Sequence, residues 1–299
     1  MFEDVRKNKI KSGFIIFGFI LIITLIIYYI SMAFDIDAPV ALTIALLFSI
    51  ISSWVSYYFS DKIILAVSNA RPATEAEDKK IINILDGLMI SSGLSSRPRL
   101  YVVEDAQPNA FATGRNPEHA VICVTTGLLD KLEYYELEGV IAHEMAHIKN
   151  YDILLSAVVT VMVGFIVMLS DIFTRGFFYR SDRNKDDDNG GSAILMLVGL
   201  LFLILSPILG KLMQMAVSRR REFLADSTAI EFTRNPDGLI SALRKLDDDP
   251  NELKVANKAT ENMYIVNPFK SNANGKKRAS LFSTHPSIDD RIEALQNIK

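Results

Sequence analysis

GVIAHEMAHIKNYDILLSAVVTVMVGFIVMLS, residues 139–170, joins two segments suited to different solvents. His143, Glu144 and His147 fall in the spacing H-E-x-x-H, and a run without any charged side chain begins soon after, at Ile153. On a helix, residues four apart stand one turn above each other, so both histidines can aim a ring nitrogen at one ion. Glu144 lies about 100° round the helix from His143 and is displaced from that face. It is placed to take a proton from a water activated by the ion, and not to bind the ion itself. The pattern puts a site that needs water at the mouth of a segment long enough to enter a bilayer.

The composition supports the second half of that reading. Of the 299 residues 49% are apolar, which is high for a soluble chain of this length. The excess collects in four uncharged runs, Gly13–Phe34, Ala38–Ser60, Ile153–Ser170 and Ala193–Gly210. A helix needs roughly 20 apolar residues to cross a ~30 Å hydrocarbon core; the first two runs meet this and the last two sit at its lower limit. The first run is too long for a signal-peptide core and lacks a small-residue cleavage site, so it reads as a retained anchor. Cys123 is the single cysteine, which excludes an intramolecular disulfide. A net charge of −3 and the lack of a long basic stripe give no sign of nucleic-acid binding.

Basic residues set the expected orientation. Arg6, Lys7, Lys9 and Lys11 precede the first run, whereas the link to the second holds only Asp35 and Asp37. The amino-terminal end is therefore expected in the cytoplasm. Four spans then return residues 61–152 and 211–299 to the cytoplasm, consistent with Lys211 and Arg219–Arg221. Arg175, Arg180, Arg183 and Lys185 in the loop between the third and fourth runs run against this count. The expected organisation is an amino-terminal membrane hairpin (1–60), a first cytoplasmic part (61–152), a second hairpin with a charged loop (153–210) and a second cytoplasmic part (211–299).

The segment between the hairpins reads as mixed α and β. Thr74 is a helix N-cap followed by acidic residues, Ile81, Ile82, Leu85, Leu88 and Met89 share a helical face, and Gly93 suits the stop. Three β-prone stretches follow, RLYVVED, NAFATG and HAVICVTT, separated by the turn signals AQP and RNPE. A helix then starts near LDKLEYYELEG, and no proline interrupts it before the third apolar run, so one continuous helix from the H-E-x-x-H pattern into the membrane is expected. NPDGLISALRKLDD and HPSIDDRIEALQNI carry further helical patterns.

A hydrolytic zinc usually takes three protein ligands and leaves the fourth position to water. No third histidine follows His147 at short range, so the ligand must come from elsewhere. The best candidate is SRRREFLADSTAI, where Glu222 and Asp226 stand four apart on a helix leaving the fourth run. From His147 to the charged loop is ~25 residues and from the loop to Glu222 ~30, so two antiparallel helices climbing roughly 40 Å each bring both segments to one height. Asp226, one turn on, is free to accept a hydrogen bond from a ligand histidine. The plainer reading is a surface helix whose acids balance Arg219–Arg221.

IAHEMAHIKNYD, RREFLAD after an apolar hairpin, PNAFATG upstream and STHPSIDDRI near the end together resemble the HtpX group of membrane-bound zinc metalloproteases, kin to the type I prenyl-protein (CAAX) proteases. The likeness covers essentially the whole chain. It implies an α+β membrane protein, with four transmembrane helices and a mainly helical, zincin-like (gluzincin) cytoplasmic domain containing a small β-sheet. One Zn2+ per chain would be held by His143, His147 and Glu222, with Glu144 as general base and acid. The NAFATG stretch would be an edge strand on which main-chain groups of Asn109 and Ala110, with Phe111 beside them, fix an extended substrate. His285 would assist the oxyanion, and Arg291 would line the same cleft, unless it simply pairs with Asp289 or Asp290. Without the likeness, His285 reads as a helix-entry residue, with Pro286 in the first turn. The implied partners are protein or peptide substrates, membrane proteins among them, and the lipid bilayer. The implied place is the inner (plasma) membrane of a bacterium, with the active site on the cytoplasmic side and a part in stress response and membrane-protein quality control.

Two other classes compete. A zinc-binding sensor without turnover has no need of Glu144. A transporter calls for ionisable residues at membrane depth, and the four runs have none.

Overall fold

The computed structural model describes residues 2–33, 36–181, 218–256, 260–269 and 286–298. The fourth apolar run, the charged loop from residue 182 onward and His285 lie outside the described residues. Two long helices open the chain, α1 (Phe2–Ala33) and α2 (Ala38–Val67), both long and apolar enough to cross a bilayer. Side-chain size explains their pairing. The buried face of α2 is a column of small residues, Ala41, Ala45, Ser49, Ser53 and Ser60, which lets a neighbouring backbone approach closely. Thr24 of α1 shares a 2.9 Å hydrogen bond with Ser49. Outward, Phe14, Phe17, Leu21, Leu47, Ile51 and Trp54 are each more than half exposed. So wide an apolar surface suits lipid and not water.

Next come β1 (Arg71–Pro72), α3 (Glu75–Ser92), β2 (Arg99–Val103), β3 (Ala110–Thr113) and β4 (Val121–Thr125). In α3 the Thr74 hydroxyl accepts from the Glu77 N–H, the Glu77 carboxylate accepts from the Thr74 N–H, and Gly93 ends the helix at φ 67°. The sheet order is β1-β2-β4-β3, with β2 and β4 parallel and the outer pairs antiparallel. Three strands were expected. The fourth, β1, is two residues long and half proline, too little pattern to announce itself. The whole of β4 is buried, as a strand covered on both faces should be. Ile122 and Val124 pack with Ile81 and Leu85 of α3, while Val121 and Cys123 face Ile64 and Leu65 of α2. The sheet therefore lies between the helical core and the membrane helices, and β3 is its edge.

The expected continuous helix is broken twice, into α4 (Thr126–Lys131), α5 (Tyr134–Lys149) and α6 (Asp152–Ser181). At the first break the Glu136 carboxylate accepts from the Glu133 N–H at 2.8 Å and starts α5 afresh. At the second, Tyr151 adopts φ 58°, and α6 leaves α5 at 83°. A left-handed tyrosine is uncommon, and contacts from α1 surround it. The Lys9 ammonium lies 4.1 Å above its ring, and the Asn8 amide bonds the residues on either side. Beyond the corner, Leu155, Val158 and Met162 of α6 pack on Ile15, Phe19 and Ile23 of α1.

The described residues end with α7 (Arg219–Thr233), α8 (Pro236–Asp247) and α9 (Ile288–Gln296). Ser287 caps α9, so Pro286 precedes the cap instead of entering the first turn. Helix α8 crosses α5 at a glycine contact, where a Cβ on Gly238 would stand 2.4 Å from the Tyr135 carbonyl oxygen. Neither backbone can retreat without moving its helix. Gly238→Ala should therefore destabilise the protein by about 1–3 kcal/mol, read as a lower unfolding midpoint; an unchanged midpoint would show that the crossing yields.

Candidate metal centre

Helix α5 is buried along most of its length against α7, α8 and the sheet. This burial fixes its two histidines. The rings of His143 and His147 stand 4.7 Å apart between centroids and nearly perpendicular, with their Nε2 atoms 3.2 Å apart. Glu222 reaches in from α7, its Oε2 lying 3.7 Å from His143 Nε2 and its Oε1 3.6 Å from His147 Nε2. A tetrahedral ion with ~2.0–2.1 Å bonds separates its ligand atoms by about 3.3 Å. Among the described residues these three form a group able to hold one metal ion.

The outer nitrogens show that the inner ones are acceptors. His143 Nδ1 lies 2.9 Å from Asp226 Oδ1 and His147 Nδ1 lies 3.0 Å from Asp152 Oδ2. An ionised carboxylate only accepts, so each Nδ1 carries the proton and each Nε2 keeps its lone pair. Two lone pairs and a carboxylate then converge on one point, an arrangement that only a cation relieves. A proton can serve: burial and Arg291 press the His143 pKa down, but Asp226 and Glu222 more than reverse this and push it up to about 9. A divalent ion satisfies all three donors at once.

Glu144, 2% exposed, lines the same cleft with both histidines, Glu222 and Ala112 of β3. Burial raises its carboxyl pKa, with the histidines and Arg291 pulling the other way, so it is held closer to a proton-transferring range than a solvated glutamate. The cleft encloses about 30 Å³, room for a water beside the donors.

The remaining expected residues fall differently. Arg291, fully buried, stands directly behind two residues of the cleft, its guanidinium 3.4 Å from His143 Nδ1 and 3.9 Å from Glu222 Oε2. It grips Asp226 through two hydrogen bonds of 2.7 and 2.8 Å and donates to the Ile265 carbonyl at 3.0 Å. Its partner is thus neither Asp289 nor Asp290, because α9 turns this face inward. Asn109 and Ala110 do not offer open main-chain groups either. The Asn109 N–H and C=O are both engaged by Thr125, and the Ala110 C=O accepts from Ile265 N–H at 3.0 Å. Phe111 is buried against Tyr264 at 5.2 Å between ring centroids. In an antiparallel edge strand alternate residues face outward. Asn109 pairs with Thr125, so the next outward position past Ala110 is Ala112.

Two residues near the metal triangle went unread in the sequence. Asp152 follows His147 by five positions and reaches back to it only through the corner at Tyr151. Asn8 of α1 donates to Asp152 Oδ1 at 2.7 Å. The asparagine at 150, a residue suited to helix ends, was the signal that α5 stops there.

Residues 75–299 match peptidase family M48. A "Protease HtpX homolog" of Dictyoglomus turgidum is 42% identical over 295 residues, 99% of this chain and 94% of that protein. The homolog of Thermoanaerobacter pseudethanolicus is 38% identical over 300 residues, 100% and 98% of the two chains. That of Listeria monocytogenes is 39% identical over 307 aligned positions, the full length of both. Among solved structures, "S. mikatae Ste24p" aligns at 17% identity and a TM-score of 0.48, over 99% of this chain and 67% of that one. Since the family match begins at the first residue of α3 and takes in every donor of the triangle, and since relatives align from end to end, the chain belongs to peptidase family M48, as a membrane-associated metalloendopeptidase.

Proposed function

We propose that this chain is a zinc endopeptidase of the bacterial inner membrane that cuts membrane or misfolded proteins on the cytoplasmic side. The observation that carries it is the convergence of His143 Nε2, His147 Nε2 and Glu222 on one point, with Glu144 beside it. Zinc, when bound, supplies Lewis acidity, which polarises the scissile carbonyl and makes a water nucleophilic near neutral pH. Glu144 takes the proton of the attacking water and hands it to the leaving amine. Asp226 and Asp152 hold the two imidazoles in the ligating tautomer. An extended peptide adds to the outer edge of β3, where the Ala112 main chain replaces Asn109 and Ala110 as the pairing group. His285 is retained as an oxyanion donor in this proposal, and the four spans and the two-part cytoplasmic domain as its topology; α1 and α2 support two of those spans.

The reading as a zinc sensor is not favoured, because it leaves the buried Glu144 without a task. The test is metal content and cleavage for the full chain in detergent micelles. About one zinc per chain is expected, with cleavage of an unfolded protein abolished by a chelator and restored by zinc. A chain that cleaves equally well after zinc is stripped would overturn the proposal.

A further inference from the structure

We infer that Asn8, at the foot of the first membrane helix, is a positioning residue for the metal centre, acting through Asp152 on His147. The inference rests on the metal site proposed above. Asn8 is 4% exposed although it stands among the basic residues that open α1. Its single amide nitrogen donates both to the Asn150 carbonyl, where α5 ends, at 3.0 Å and to Asp152 Oδ1, where α6 begins, at 2.7 Å. The same Asp152 accepts from His147 Nδ1 through its other oxygen at 3.0 Å. One side chain thus spans the 83° corner and ties both of its arms to α1.

The geometry makes the corner a working part. Asp152 lies five residues after His147, and on an uninterrupted helix those side chains point to different sides. They meet because Tyr151 turns the chain. Asp152 is 4% exposed, and its Oδ1 is satisfied by Asn8, with the Arg221 guanidinium 3.5 Å away. Take Asn8 away, and the carboxylate is free to rotate toward Arg221 and to release the imidazole. Lys9, above the Tyr151 ring, holds the same corner from the next residue of α1. The amino-terminal helix is therefore part of the metal centre as well as an anchor, and the seating of α1 in the membrane bears on how firmly His147 ligates.

The test uses the full chain in detergent micelles and measures zinc retention against a competing chelator at fixed pH, for Asn8→Leu, Asp152→Ala and the double variant. Loss of a group that orients a ligand costs 10–100-fold in metal affinity, and Asn8→Leu is expected near the lower end, about tenfold. In the Asp152→Ala background the same substitution should change retention by less than about twofold, since its effect passes through Asp152. The cobalt-substituted protein gives a second readout: its visible absorption bands shift in Asn8→Leu if the ligand geometry changes. Asn8→Ser, too short to span from Asp152 to Asn150, is read the same way should the leucine variant fail to fold. A lower unfolding temperature with zinc retention and cobalt bands unchanged would mean that Asn8 only packs α1, and would overturn the inference. Equal loss of metal with and without Asp152 would overturn it as well. Failure of the unmodified chain to hold zinc would remove the proposed metal site, and this inference with it.

Discussion

If Glu144 is the base proposed above, Glu144→Gln is expected to lower kcat by about 10²–10⁴-fold while leaving the metal bound. The amide has the shape of the carboxylate and sits in the same buried place against the cleft, so the fold and the three donors are undisturbed. What it lacks is basicity. Burial raises the Glu144 carboxyl toward the range in which a base both accepts and returns a proton, and an amide cannot enter that cycle. The measurement is the initial rate on an unfolded substrate beside zinc content for the same preparation. A full rate in the variant would assign the base elsewhere, and lost zinc would mean that Glu144 is a ligand.

The largest loss of stability is expected from Arg291→Met. The guanidinium is wholly buried and neutralises Asp226, which also bonds His143. Burial pushes the Asp226 carboxyl up, but Arg291 and His143 more than reverse this and hold it below the ordinary carboxylate range. Removing one member of such a pair strands a charge in the core and costs about 3–5 kcal/mol. Adding Asp226→Leu should recover part of that stability, because an apolar pair of similar volume needs no solvation. It should not recover metal affinity, because His143 has lost the acceptor that fixes its tautomer. The sign of the pH effect follows. A depressed carboxyl contributes stability that is present above its unfolded pKa of about 4 and fades as the pH falls through the folded value. The stability gap between Arg291→Met and the unmodified chain should thus be widest above that pH and narrow as the pH falls. Equal unfolding midpoints for the variant and the unmodified chain would show the pair to be dispensable.

What was legible in the sequence was local. The i, i+4 spacing of His143 and His147 and the Thr74–Gly93 limits of α3 need only the helix period and its capping rules, and they stand in the structure where the residues place them. Glu222 and Asp226 were found by asking what a two-histidine site lacks. Asn150 signals the end of α5, but the left-handed corner at Tyr151 was not legible, because no proline or glycine marks it and its cost is met by α1, more than 140 residues away in the chain. Asp152 and Asn8 were missed for that reason, since their meeting is a property of the corner. Arg291 was read with its sequence neighbours, whereas its partner lies 65 residues away. The equal-arms argument for the height of the metal segments assumed a straight run from α5 into α6, and the bend removes that premise for the first arm.

Asn8 and Arg291 also set a schedule. One is made among the first residues and the other near the last, and each touches a carboxylate that steadies one of the two histidines. A growing chain that has not reached residue 291 leaves Asp226 without its guanidinium partner. The cutting centre is then unfinished while the polypeptide is still being synthesised beside other unfolded chains. The Asp226 side of the histidine pair is therefore completed only when α9 has docked, whatever has folded before it.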